Sequence, residues 1–331
     1  MRTNDLQSGD VLLYSSQTLI GKLIRKLDGT EVAHAGIYLG NGMVGEALMV
    51  GRPGIHANAT VASFQGANWI DVRRLPDRRL DRQPVMNVAN QYIEDGNRYA
   101  YAEILLVATI CLTRKLNLHD SLLGKISFAA MNKANKFIAQ LTARGKQPMI
   151  CSEFVYRCYD EADEADDDPY SLEIGSQSGA PVRRWSNRRL RRRGYAASTG
   201  SGLPNVHPES LLGRLMRQPQ VVERATMAAA SEVPPVERIS DAEFNSLVEA
   251  YVDTPRFGSP AVAASTPEIS QYELEQAAAD YAATLLASDQ VRYGAPMTAP
   301  IETRVATVVA DFVTPGDLLK SASLATIGRI S

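Results

Sequence analysis

Residues 33–50 read AHAGIYLGNGMVGEALMV, and the reading of this stretch decides the fold. AHAGIYL is a short run rich in apolar and aromatic side chains, Gly40-Asn41-Gly42 ends it, and MVGEALMV follows at once. Two apolar runs around a glycine-rich turn specify a hairpin, with Met43–Val50 returning antiparallel to the strand that carries His34. Upstream, GDVLLY at 9–14 forms another short run behind a Gly-Asp turn. Downstream, NWIDVRRL from Asn68 to Leu75 alternates before Pro76. These segments predict a small, mostly antiparallel sheet early in the chain.

Helical periodicity then takes over. Val85, Val88, Ala89, Tyr92 and Ile93 fall on one face, a second helix is expected near Ala102–Leu112, and a third from about Ser127 to Leu141. After Pro148 the short run MI leads into CSEFVYRCYDEA, read as a helix that opens at Cys151 with Phe154, Val155 and Cys158 inward. Beyond it the composition changes. EADEADDD (Glu161–Asp168) precedes a Ser/Gly stretch and RRWSNRRLRRR (Arg183–Arg193), in which seven of eleven residues are arginine. Residues 206–307 are Ala-rich with helical patches, notably Asp241–Tyr251, capped by Ser240, and Pro267–Leu286.

Composition narrows the function classes. Of 331 residues, 45% are hydrophobic and 22% charged, and the formal charge is −2, so this is an ordinary globular chain whose overall electrostatics names no partner. Three cysteines make no disulfide framework. On a helix Cys151 and Cys158 stand about 10 Å apart, too far to bridge. The opening MRTNDLQSGD has no apolar core of signal-peptide length, so synthesis in the cytoplasm is expected. The most apolar run, Ile104–Leu112, is about half of what a bilayer span needs and reads as a buried helix.

Three residues are candidates for a nucleophile, a base and an orienter: Cys151 at a helix start, His34 on a strand and Glu46 on the returning strand. A thiol at a helix N-terminus feels the positive end of the macrodipole, and a nearby imidazole holds the proton it releases. The same helix end presents backbone N–H groups, that of Cys151 included, able to hold an oxyanion. Glu46 depends on register. A three-residue loop sets Leu39 opposite Met43 and Gly36 opposite Glu46, which makes His34 and Glu46 diagonal neighbours on one face; a two-residue Asn41-Gly42 turn sends Glu46 to the other. Gly36 is expected to leave open space beside the imidazole. Cys111 and Cys158 lie in apolar helical surroundings and read as core. His56, His119 and His207 have no partners at metal-ligand spacing, so neither a metal nor a cofactor is implied. The arginine run suits an anionic partner such as nucleic acid or anionic lipid, with Glu161–Asp168 as an intramolecular counter-charge.

Taken in order, GDVLLY, HAGIYLGNGMVGEAL and ICSEFVYRCY resemble the YiiX/YaeF-like group of permuted papain-like cysteine hydrolases, relatives of the NlpC-type cell-wall peptidases. In the NlpC-type order the Cys helix precedes the His strand, and here it follows. Glu46 stands twelve residues after His34, the position of that family's third residue, which favours the three-residue loop. NRYAYAEIL around Tyr99 and Tyr101 resembles the family's Tyr-x-Tyr segment, and FVTPGDLLKSASLATIGRI its closing element. The resemblance implies an α+β permuted papain-like fold, its small antiparallel sheet packed on the Cys helix. It divides the chain into a catalytic core at 1–162, an acidic and basic segment at 163–205, a helical insertion at 206–307 and a closing element at 308–331. It implies a thiol hydrolase acting on a peptide or amide substrate such as cell-wall stem peptides; with no export signal in view, the chain is expected to be an effector delivered by a dedicated secretion system, a phage product, or an enzyme for a cytoplasmic substrate. A lipid-directed acyltransferase or thioesterase on the same fold, and a binding module that uses the arginine run, are the alternatives.

Overall fold

The computed structural model of the protein describes residues 1–48, 54–96, 99–100, 102–118, 121–163, 169–174, 206–218, 238–253, 267–293 and 309–331. Within them the chain is a mixed α+β fold built on one six-stranded antiparallel sheet. Its strands are β1 (Val11–Ser16), β2 (His34–Gly40), β3 (Met43–Leu48), β4 (Gly54–Ala59), β5 (Ala67–Arg74) and β8 (Ala325–Ile330), in the order β4-β3-β2-β1-β5-β8. A second, two-stranded parallel sheet pairs β6 (Tyr99–Ala100) with β7 (Gln147–Pro148). Ten α-helices are present among the described residues: α1 (Leu19–Asp28), α2 (Thr60–Ser63), α3 (Gln83–Glu94), α4 (Glu103–Thr113), α5 (Ser121–Ala143), α6 (Cys151–Asp160), α7 (Leu211–Met216), α8 (Asp241–Asp253), α9 (Gln271–Tyr293) and α10 (Pro315–Lys320).

The hairpin forms where the glycine-rich turn puts it. Gly40, Asn41 and Gly42 all take positive φ, +94°, +51° and +74°. Only glycine and asparagine enter this region readily. Gly36 stands opposite Glu46, as the three-residue loop requires, but Met43 pairs with Gly40 and not with Leu39. A bulge after Tyr38 absorbs Leu39 and tightens the turn without changing which face Glu46 occupies. β3 ends at Leu48, earlier than the expected Val50, which lies outside the described residues. Several elements had no sequence assignment, β4 and α1 among them. β4, GIHANA, has little strand propensity and is held by pairing along the whole of β3. α1 is bounded by Thr18, whose hydroxyl accepts from the Gly21 N–H at 3.0 Å, and by Gly29 at φ +63°.

Both faces of the sheet are covered. Val11, Leu13, Ala35, Ile37, Ala47 and Ile55 join a main core with Phe154 and Val155 of α6, while Leu12, Tyr14, Tyr38, Val44, Ile70 and Val72 form a smaller cluster. The main core also takes in Leu211 of α7, Leu247 of α8 and Tyr281 of α9, so these helices share one apolar interior with α4 and α5. Tyr281 is fully buried, its hydroxyl bonded to the Leu105 carbonyl at 3.1 Å and to Thr109 Oγ1 at 3.0 Å. Among the described residues no helix is long and apolar enough to cross a membrane.

The C-terminal segment closes the fold from both ends. β8 pairs with β5, and α10 is fastened through a buried ion network. Asp28 accepts from Arg114 Nε at 2.8 Å, from Thr314 Oγ1 at 2.8 Å and from the Gly316 N–H at 3.1 Å, and Arg114 Nη2 also reaches Asp317 at 2.8 Å. Although burial opposes it, the charges of Asp317 and Asp28 hold the Arg114 guanidinium pKa above its ordinary value. Removing one member of such a network strands a buried charge, typically at a cost of about 3–5 kcal/mol. Asp28→Ala is therefore expected to lower unfolding stability by about that much in chemical denaturation. A loss below 1 kcal/mol would mean that the network does not fasten the C-terminal segment.

Candidate active site

His34 opens β2, Glu46 lies on β3 and Cys151 opens α6, and the fold brings all three together. The Gly36–Glu46 register makes His34 and Glu46 diagonal neighbours, and His34 Nε2 donates to Glu46 Oε2 at 3.2 Å. The other carboxylate oxygen, Oε1, accepts from Asn58 Nδ2 on β4 at 3.2 Å. Glu46 is thus buried, 2% exposed, with both oxygens used. The Cys151 side chain stands close enough to the imidazole to act on its pKa by charge and by hydrogen bonding. Cys151 is fully buried, whereas the His34 side chain is 19% exposed, so solvent reaches the pair from the imidazole side.

Burial by itself would lower the His34 pKa. The charge of Cys151 and the hydrogen bond to it, followed by the hydrogen bond and charge of Glu46, outweigh burial and push it up to about 10. A ring with its pKa raised above the unfolded value of about 6.5 stabilises the fold fully below that pH and loses the contribution as pH rises through 10. At the helix start the first i→i−4 bond is Phe154 N–H to Ile150 O at 3.1 Å. Ile150 supplies no side-chain cap, and the amides of Cys151 and Ser152 precede that bond.

Tyr14 pairs with His34 across β1 and β2, the ring centroids 5.2 Å apart. Its hydroxyl is hydrogen-bonded to Ser63 Oγ at 2.7 Å, and its pKa is pushed well up by burial and then by the Glu46 charge, so it stays a neutral phenol. The space expected beside Gly36 is absent. A Cβ there would meet Val44 Cγ1 at 3.1 Å, the Gly45 carbonyl at 3.2 Å and the Tyr14 hydroxyl at 3.3 Å, so the glycine permits close packing and opens no room for a substrate. Glu103, the first residue of α4, is partly buried, and its carboxyl pKa is raised by burial against the opposing charge of His34.

The sequence-predicted trio of His34, Glu46 and Cys151 therefore meets in space, while Asn58, Tyr14 and Glu103 join it without having been singled out. Asn58 and Glu103 carried no local signal, since each depends on an element packing beside the trio. The other cysteines behave as core: burial raises the Cys111 thiol to about 12 and the Cys158 thiol well above its ordinary value. Glu161, at the start of the acidic segment, faces Arg157 Nη1 at 3.4 Å and accepts from the Tyr92 hydroxyl at 3.1 Å. Arg183–Arg193, the acidic residues 164–168, Tyr101 and His119 lie outside the described residues. Among the described residues no group of three or more His, Cys, Asp or Glu is arranged to hold a metal ion.

The electrostatics give a direct check. In wild type the His34 ring C–H resonances are expected to titrate near pH 10 by NMR. In Glu46→Gln the midpoint moves down, and in Cys151→Ala it moves down further, because the larger raising charge is gone. A midpoint near the ordinary 6.5 in wild type would contradict the paired geometry.

No protein-family model, curated protein or solved structure matches the chain.

Proposed function

We propose that the chain is a cysteine hydrolase of amide or peptide bonds, built on a permuted papain-like domain in which the His hairpin precedes the Cys helix. The observation that carries this reading is the Cys151 thiol at a helix N-terminus, beside His34, whose Nε2 is fixed by Glu46 at 3.2 Å. A helix start favours thiolate, a protonated imidazole beside it holds the transferred proton, and a buried carboxylate on the far nitrogen fixes the ring.

The chemistry follows from these positions. Cys151 Sγ attacks the substrate carbonyl carbon, and the C=O π electrons move onto oxygen, where the first-turn amides of α6 stabilise them. Collapse expels the amine, which takes its proton from the His34 imidazolium and leaves a thioester on Cys151. Water then attacks the thioester carbonyl while neutral His34 takes its proton. The carboxylic acid leaves, and the proton returns to the Cys151–His34 pair. Glu46 and Asn58 are positioning residues, because they act through the ring. Peptide substrates such as cell-wall stem peptides are the class that the sequence resemblance implies.

Mass-spectrometric mapping of alkylation against pH tests the nucleophile without a substrate. Cys151 is expected to be alkylated fastest of the three thiols at neutral pH, and to lose that advantage in His34→Ala. On an amide substrate Cys151→Ala should lose about a thousandfold or more of turnover, while Cys158→Ala keeps nearly all of it. Equal losses in both variants, or a Cys151 alkylated no faster than Cys158, would sink the proposal. Acyl-enzyme formed from lipid esters but not from peptides would move the assignment to acyl transfer.

A further inference from the structure

The short parallel pair β6 and β7 sets Tyr99 opposite Gln147 and Ala100 opposite Pro148. Tyr99 packs on Tyr92, ring centroids 5.4 Å apart, and Tyr92 on Phe154 of α6 at 6.1 Å, which ties this pair to the Cys helix. Three residues beyond Ala100 the chain opens α4 at Glu103, and three residues beyond Pro148 it opens α6 at Cys151. Two helices thus start from one pair of strands, the first residue of one being the thiol and of the other a carboxylate.

Glu103 differs from Glu46 in its partners. Both Glu46 oxygens are occupied, by His34 and Asn58. Among the described residues the Glu103 carboxylate has no hydrogen-bond or ion-pair partner, and no side chain caps the start of α4. It is partly buried and close enough to His34 for the two charges to act on one another. Burial without a partner penalises its charged form, which raises its pKa, and that penalty is relieved when a cation or a hydrogen-bond donor comes to it. Around the scissile position Cys151, His34 and Glu46 together carry one negative charge, but Glu46 is 2% exposed with both oxygens bonded, so among the described residues Glu103 is the carboxylate left to bond an incoming ligand.

We propose that Glu103 is a specificity-determining residue that binds an ammonium group carried by the substrate within a few bonds of the scissile carbonyl. The site then selects cationic amides and disfavours anionic ones. This inference rests on Cys151 being the nucleophile.

The experiment uses three small thiol reagents that differ in charge: iodoacetamide, iodoacetate and 2-bromoethylammonium. Their rates at Cys151 are read by peptide mass spectrometry in the full-length wild type, Glu103→Gln and Glu103→Asp, each checked for unchanged thermal unfolding. Taking rates relative to iodoacetamide cancels any change in the thiol itself. In Glu103→Gln the iodoacetate ratio is expected to rise about tenfold and the bromoethylammonium ratio to fall by a similar factor, as removal of one partly screened charge nearby requires. Glu103→Asp should keep the wild-type order. Ratios that do not move in Glu103→Gln overturn this inference and leave the nucleophile intact. A wild-type Cys151 that no reagent modifies, while the denatured chain is modified, overturns the hydrolase reading and this inference with it.

Discussion

The approach of Cys151 to His34 joins the N-terminus of one helix to the first residue of one strand, and most of the surrounding structure serves to hold those two ends in place. Neither end is fixed by its own element. A helix start frays unless its orphan groups are held, and a residue that opens a strand has ladder partners on one side of it only. α6 is therefore anchored along its length. Ser152 Oγ donates to the Val313 carbonyl at 2.6 Å, Glu153 accepts from the Ile150 N–H at 3.2 Å, and the Tyr159 hydroxyl donates to the Gly9 carbonyl at the foot of β1. His34 is anchored through Tyr14 across the ladder and Glu46 along the diagonal.

The helix is unusual in burying a full arginine. Arg157 has no exposed surface, and its guanidinium meets Glu153 at 2.7 Å, Asp311 at 2.6 Å and Glu161 at 3.4 Å. A buried charge is tolerated only when its donors are matched, and two of these partners lie on α6 or at its end while the third comes from the C-terminal segment. The Cys151 helix and the closing segment are thus interdependent. Asp28, Arg114 and Asp317 repeat the device at α10. The long stretch between the Cys helix and the closing segment leaves its ordered helices on α4 and α5, so the closing strand returns to β5 across a core that those helices help to build.

What was legible in the sequence follows from how local each cause is. The hairpin register could be read because Gly40-Asn41-Gly42 has a strong turn preference of its own, and the register then carries Glu46 to His34 without further help. Cys151 could be read because a helix start combines position with apolar periodicity. Gly36 was legible as a glycine that mattered and illegible in its reason. The tight contact with Val44 and the Tyr14 hydroxyl depends on which side chains the neighbouring strands present. β4 escaped for the same kind of reason: GIHANA has no strand signal, and its pairing with β3 supplies what propensity does not. Asn58, which completes the Glu46 environment, could not be placed before β4 was.

Two carboxylates of one chemical type interact electrostatically with a single imidazole, and their surroundings separate them. Glu46 sits between two fixed donors on adjacent strands, so its charge is committed to holding the ring and to raising the ring's pKa. Glu103 sits at the start of a helix, where the macrodipole favours a negative charge, yet the fold gives it no partner. The difference in partners, and not in pKa alone, is what separates a carboxylate that fixes the His34 ring from one that the fold leaves without a partner among the described residues.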